Sequence, residues 1–86
     1  MFAVLVYDVD QKRVGRVLKI CRKYLTHVQK SVFEGPITEA KLTSLKSELK
    51  KTIECDYDGI CIYTTTDPHA FLKEQIGVME DHSHII

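Results

Sequence analysis

The chain has no long apolar run, no paired cysteine motif, no glycine-rich phosphate loop and no excess of either charge. The longest apolar stretch, Met1 to Tyr7, falls far short of the roughly 20 residues needed to span a bilayer. It lacks a basic leader and a small-residue cleavage site, so no signal peptide and no membrane partner are expected. The expected compartment is the cytoplasm. Cys21, Cys55 and Cys61 form an odd set without a CxxC, which argues against a disulfide framework or a zinc knuckle. In a reducing compartment they are expected to act as small hydrophobes. The 12 basic and 12 acidic residues sum to zero formal charge, so no global basic excess advertises nucleic acid. Neither GxSxG nor HExxH occurs.

What is present reads as one small globular domain. A hydrophobic share of 44% and a charged share of 28% are near the globular average and exclude collagen, low complexity and disorder. With 86 residues, a single thin core is expected, burying only about 60% of the unfolded chain's surface. The charge is unevenly spread. Every charged residue from Gln11 to Lys30 is basic (Lys12, Arg13, Arg16, Lys19, Arg22, Lys23, Lys30). From Asp67 onward the balance is acidic, with Asp67, Glu74, Glu80 and Asp81 against Lys73. Such asymmetry can mark a local binding face.

Residues 2–7, FAVLVY, read as a strand buried on both faces. Residues 12–25 read as a helix with an apolar stripe of Val14, Val17, Leu18, Cys21 and Leu25, capped by Asp10. Lys12, Arg16, Lys19 and Lys23 fall on its other side. Residues 27–37 look extended without a clean apolar face, as a bulged strand or two short strands would. Gly35-Pro36 ends that stretch. Thr38 caps a second helix at 39–53, with Leu42, Leu45, Leu49 and Ile53 as its stripe. Asp56 to Gly59 is a turn cluster, and ICIYT at 60–64 is another buried strand. Ala70 to Ile76 reads as a helical turn, Gly77 to Met79 as a short strand, and 80–86 as a flexible tail beyond a single domain at 1–79.

This order predicts an α+β, ferredoxin-like βαββαβ sandwich with an extra C-terminal strand. Two helices cover one sheet face. The other would expose a large apolar patch, so a symmetric homodimer packed sheet to sheet is expected. A lone strand of four residues is not stable by itself, so Ile76 to Met79 is expected to cross over and pair with the other subunit.

Asp8 ends the first strand. One carboxylate at a loop start commonly only turns the chain. Near a dimer axis it would meet its own copy, and two close carboxylates favour a bound cation, Mg²⁺ or Mn²⁺, whose water can attack a phosphodiester. Asp8 is thus the candidate metal ligand and catalytic residue. The basic stripe reads first as a solvated face and, more specifically, as a row of phosphate contacts. Arg13 and Arg16 are the leading candidates there, with Lys12 beside them. His82 and His84 read as tail residues, and His27 and His69 have no evident partner. Cys21 sits on the core stripe, which disfavours a nucleophile.

VYDV at 6–9, RVGRV at 13–17, HVQKSVFEG at 27–35, LTSLKSEL at 42–49 and DGICIY at 58–63 resemble, in order and spacing, the second CRISPR-associated (Cas) protein family. The resemblance implies a ferredoxin-like homodimer that bridges integrase dimers during spacer acquisition, with protospacer duplex DNA lying across it. It also implies metal-dependent endonuclease activity on RNA or DNA in some members, with single-stranded RNA as a further partner. The family's strand-end aspartate falls on Asp8, its arginines on Arg13 and Arg16, and its serine and phenylalanine on Ser31 and Phe33, as nucleic-acid contacts. His27 stands where many members carry arginine, which weakens the case for a phosphate contact there. One candidate carboxylate without a clear general base predicts slow turnover, so scaffolding ranks above catalysis. A small-ligand or regulatory domain on the same fold is the alternative.

Overall fold

A computed structural model describes residues 1–67 and 70–79. Apolar β-formers at the start of the chain build the central strand, β1 (Phe2–Asp8), flanked on both sides by other strands. Helix α1 (Gln11–Arg22) follows, then β2 (Thr26–Gln29), β3 (Val32–Pro36), α2 (Glu39–Thr52), β4 (Gly59–Asp67) and β5 (Ala70–Gly77). All pairings are antiparallel, in the order β2-β3-β1-β4-β5. The first four strands and two helices make the ferredoxin-like arrangement, and β5 extends the sheet at one edge.

Both helix caps follow from residue chemistry. The Asp10 side chain accepts from the Lys12 backbone N–H at 2.9 Å, and Thr38 Oγ1 accepts from Lys41 N–H at 3.2 Å. The helices bury the expected stripes. Val17, Cys21, Leu42, Leu45, Leu49 and Ile53 meet Ala3, Leu5, Tyr7, Phe33, Ile60 and Ile62 in one core. Cys21 is fully buried in this core, and that burial pushes its thiol up to about 12, which disfavours a nucleophile. Residues 27–37 resolve into two strands, with a register shift between His27 and Gln29.

The period of two sends alternate residues to the face without helices. There the register aligns Val32, Val6 and Cys61 in one row and Glu34, Val4, Tyr63 and Lys73 in the next. The Lys73 ammonium sits 5.8 Å from the Tyr63 ring centroid.

One expectation for the C-terminal segment is overturned. Ala70 to Ile76 is not a helical turn but most of strand β5. In the single chain described, Ile76 pairs with Ile60 of its own β4, and Gly77 pairs with Gly59. Val78 N–H then donates to Asp58 O at 2.8 Å. The expected flexible tail, 80–86, lies outside the described residues. Helix-forming Ala, Leu, Lys, Glu and Gln dominate 70–76, but the open edge of β4 supplies ladder partners that outweigh those preferences.

Glycine is required where β4 and β5 meet. Gly77 has φ +79°, and a Cβ there would lie 2.0 Å from Asp58 O. Gly77→Ala should therefore cost at least about 1 kcal/mol and lower the thermal midpoint by about 4 °C or more, read by circular dichroism. An unchanged midpoint would mean that this junction is looser than the geometry indicates.

Candidate nucleic-acid and metal site

β1 delivers Asp8 to the rim of the sheet, opposite Gly59 in the ladder with β4. Asp8 is exposed, and with Val6, Tyr7 and residues Gln29 to Val32 it lines an open hollow of about 570 Å³. The β2–β3 turn forms the far wall and is tied down at several points. Tyr7 N–H donates to Ser31 O at 3.0 Å, and the Tyr7 hydroxyl donates to Lys30 O at 2.6 Å. His27 Nε2 lies 3.0 Å from the same carbonyl. A carbonyl only accepts, so this nitrogen carries the proton. The His27 ring stacks on Phe33, with centroids 4.5 Å apart and planes 12° from parallel. His27 is thus a clip for the turn.

Ser31 is half-buried in that turn, beside the Asp8 hollow. Phe33, expected at a nucleic-acid surface, is instead 0% exposed, among the largest side chains of the core. A fully enclosed ring has no face to offer a base, and its neighbours are Tyr7 and His27. The alternation of β3 explains this. Phe33 points to the helix side with Leu5, its partner in register, while Val32 and Glu34 point away.

On α1, Lys12, Arg16, Lys19, Arg22 and Lys23 are exposed. Lys23 is drawn to Glu48 of α2, which also accepts from the Tyr24 hydroxyl. Those two partners hold the Glu48 carboxyl below its usual range. Lys12 and Arg16 remain on the outer face of the first turns.

Arg13 is turned inward and held by a residue that pattern reading passed over as a turn former. Asp58 is completely buried. Its Oδ2 accepts from Arg13 Nε at 2.5 Å, and its Oδ1 accepts from Arg13 Nη2 at 3.0 Å. Asp10 N–H donates to Oδ1 at 3.0 Å, and Glu54 N–H donates to Oδ2 at 2.9 Å. The guanidinium bonds, aided by the two backbone N–H groups, hold the Asp58 carboxyl far below the usual range despite burial. The anion favoured at the start of α1 is therefore supplied by the chain itself. Arg13 commits two of its five donors to Asp58 and, among the described residues, no hydrogen bond of the other three is seen. The only sequence signal for Asp58 is an acidic residue before Gly59 at the foot of an apolar strand, a pattern that a plain turn also produces.

Among the described residues, no group of three or more His, Cys, Asp or Glu could enclose a metal ion. The chemistry of Asp8 nonetheless suits a hard cation: an exposed carboxylate can serve Mg²⁺, which keeps several waters and takes one or two protein carboxylates. Asp10 Oδ1 is already engaged by the helix cap. Among the described residues, no helix is long and apolar enough to cross a membrane.

Comparison with known proteins places this geometry. The family model described as CRISPR associated protein Cas2 matches residues 1–71. A protein named CRISPR-associated endoribonuclease Cas2 from Thermotoga maritima is 41% identical over 78 residues, covering 91% of this chain and 90% of the relative. One of the same name from Methanosarcina acetivorans is 40% identical over 87 residues, covering 100% of each. Among solved structures, Streptococcus pyogenes Cas2 superposes with a TM-score of 0.70 at 34% identity, covering 76% of this chain and 86% of that one. Another, described as cas2, gives a TM-score of 0.71 at 36% identity, covering 96% and 91%. With this fold, these motifs and these relatives, the chain belongs to the Cas2 family of CRISPR-associated proteins.

Proposed function

We propose that the chain acts in the cytoplasm as a homodimeric scaffold of CRISPR spacer acquisition, gripping the backbone of protospacer duplex DNA and bridging integrase dimers. The observation that carries this is the exposed basic edge of α1, Lys12 and Arg16 beside the anchored Arg13, on a member of this family. Phosphate contacts fix register and carry no sequence information, so binding should be insensitive to sequence and steeply salt-dependent. Lys12→Ala and Arg16→Ala should weaken duplex binding equally across sequences. Removing one phosphate-neutralising side chain should flatten the plot of log affinity against log salt by about 0.9. Fluorescence anisotropy over a salt series measures this, and an unchanged slope would take these residues out of the DNA interface. The apolar rows of Val4, Val6, Val32, Cys61 and Tyr63 on the face without helices support sheet-to-sheet dimerisation, which sizing of the purified chain tests.

A second reading is favoured by the exposure of Asp8 and by the endoribonuclease name of the relatives. Asp8 would hold Mg²⁺ or Mn²⁺ jointly with its copy across the dimer axis, and Ser31 lies close enough to the hollow to contact a strand there. Such a cation supplies a water of lowered pKa for phosphodiester attack. Asp8 positions it, while the basic edge of α1 orients the substrate phosphate. Cleavage of single-stranded RNA or of DNA should need Mg²⁺, stop with EDTA and be lost in Asp8→Asn. Activity surviving that substitution would place the chemistry elsewhere.

A further inference from the structure

Asp58 does not line the hollow, but two of its partners, Asp10 and Arg13, follow closely on Asp8, which does. Its carboxylate is completely buried and receives four hydrogen bonds, from Arg13 Nε, Arg13 Nη2, Asp10 N–H and Glu54 N–H. Its backbone is clamped from the opposite side. Val78 N–H donates to the Asp58 carbonyl at 2.8 Å, and a Cβ on Gly59 would lie 2.0 Å from Val78 O. An anion fixed in this way cannot follow its partners, so the partners must conform to it. Asp10 belongs to the loop after Asp8 and Arg13 to the first turn of α1, while Glu54 lies in the turn after α2.

We infer that Asp58 is a positioning residue for nucleic acid: its forked grip aims the remaining Arg13 donors at a backbone phosphate and fixes the loop that follows Asp8 and carries Asp10. This role rests on the nucleic-acid function proposed for the chain and sets the geometry of that same site. Arginine suits it because the planar fork, once two donors are fixed, orients the others rigidly. Lysine has the same charge without that geometry.

The test uses the full chain, a duplex DNA of arbitrary sequence and a labelled single-stranded RNA with Mg²⁺. Asp58→Asn keeps the shape and removes the charge. It should flatten the salt slope of duplex binding by about 0.9 for each phosphate that Arg13 no longer neutralises, although residue 58 touches no nucleic acid. It should also lower RNA cleavage at saturation about tenfold, with KM within about twofold. Asp58→Asn combined with Arg13→Gln should be no worse than the weaker single variant, because both remove one device. If Asp58→Asn does not fold, Arg13→Lys carries the test: the charge that sets the salt slope is kept and the fork is gone, so the slope should hold while cleavage slows about tenfold. A folded Asp58→Asn with wild-type slope and rate, or an Arg13→Lys with wild-type rate, overturns the positioning role alone. A wild-type chain that binds neither probe overturns the nucleic-acid reading, and the role of Asp58 with it.

Discussion

Phe33→Ala should cost about 3–5 kcal/mol of stability. That is a large fraction of the roughly 5–15 kcal/mol that holds a small domain together. The ring is 0% exposed in the core and stacked on His27, so truncation leaves a cavity that the backbone of β3 cannot fill. Urea unfolding followed by circular dichroism should show the effect as a lower midpoint. Phe33→Leu separates this role from base stacking. It keeps an apolar side chain of similar bulk and should cost under about 1.5 kcal/mol. A core residue predicts that the folded Leu variant binds DNA and RNA within about twofold of wild type. A base-stacking residue predicts weakened affinity, since leucine offers no aromatic face. Weakened affinity in a stable Phe33→Leu protein would therefore show that the ring reaches nucleic acid.

Asp58→Ala should be comparably severe, at about 3–5 kcal/mol, because it strips the partner from a desolvated ion pair and leaves two backbone N–H groups unanswered. The pH dependence follows from the direction of the shift. The folded carboxyl titrates far below its ordinary value because Arg13 and the backbone donors hold it ionised. Its unfolded value is about 3.9. The stabilisation is therefore complete above that value and is lost as pH falls through it toward the folded value. Wild-type stability should decline from about pH 5 downward, and Asp58→Asn should show a shallower decline. Some slope should persist in the variant, since Lys23 and Tyr24 also hold the Glu48 carboxyl low. Urea midpoints across an acidic pH series provide the measurement. Parallel curves for the two proteins would show that the Asp58 pair does not drive acid sensitivity.

The sequence by itself determined the features that depend on near neighbours. The apolar run of β1, the leucine stripe of α2, the caps Asp10 and Thr38 and the broken strand after His27 all express chemistry within a few residues. The motif set also sufficed to identify the family. What only the tertiary structure decided depends on pairings between distant segments. The residues of β5 carry helix-forming side chains, and they became a strand because β4 offered an open edge. Phe33 lies on a stretch with no clean alternation, and the register opposite Leu5 decided that it faces the helices. Arg13 and Asp58 are 45 residues apart, so no local period links them. They meet because the β1–β4 ladder sets Asp8 opposite Gly59, which brings the start of α1 against the foot of β4. Side-chain periodicity reports which face is buried, whereas strand register decides which residues share that face, and register is a property of two segments together.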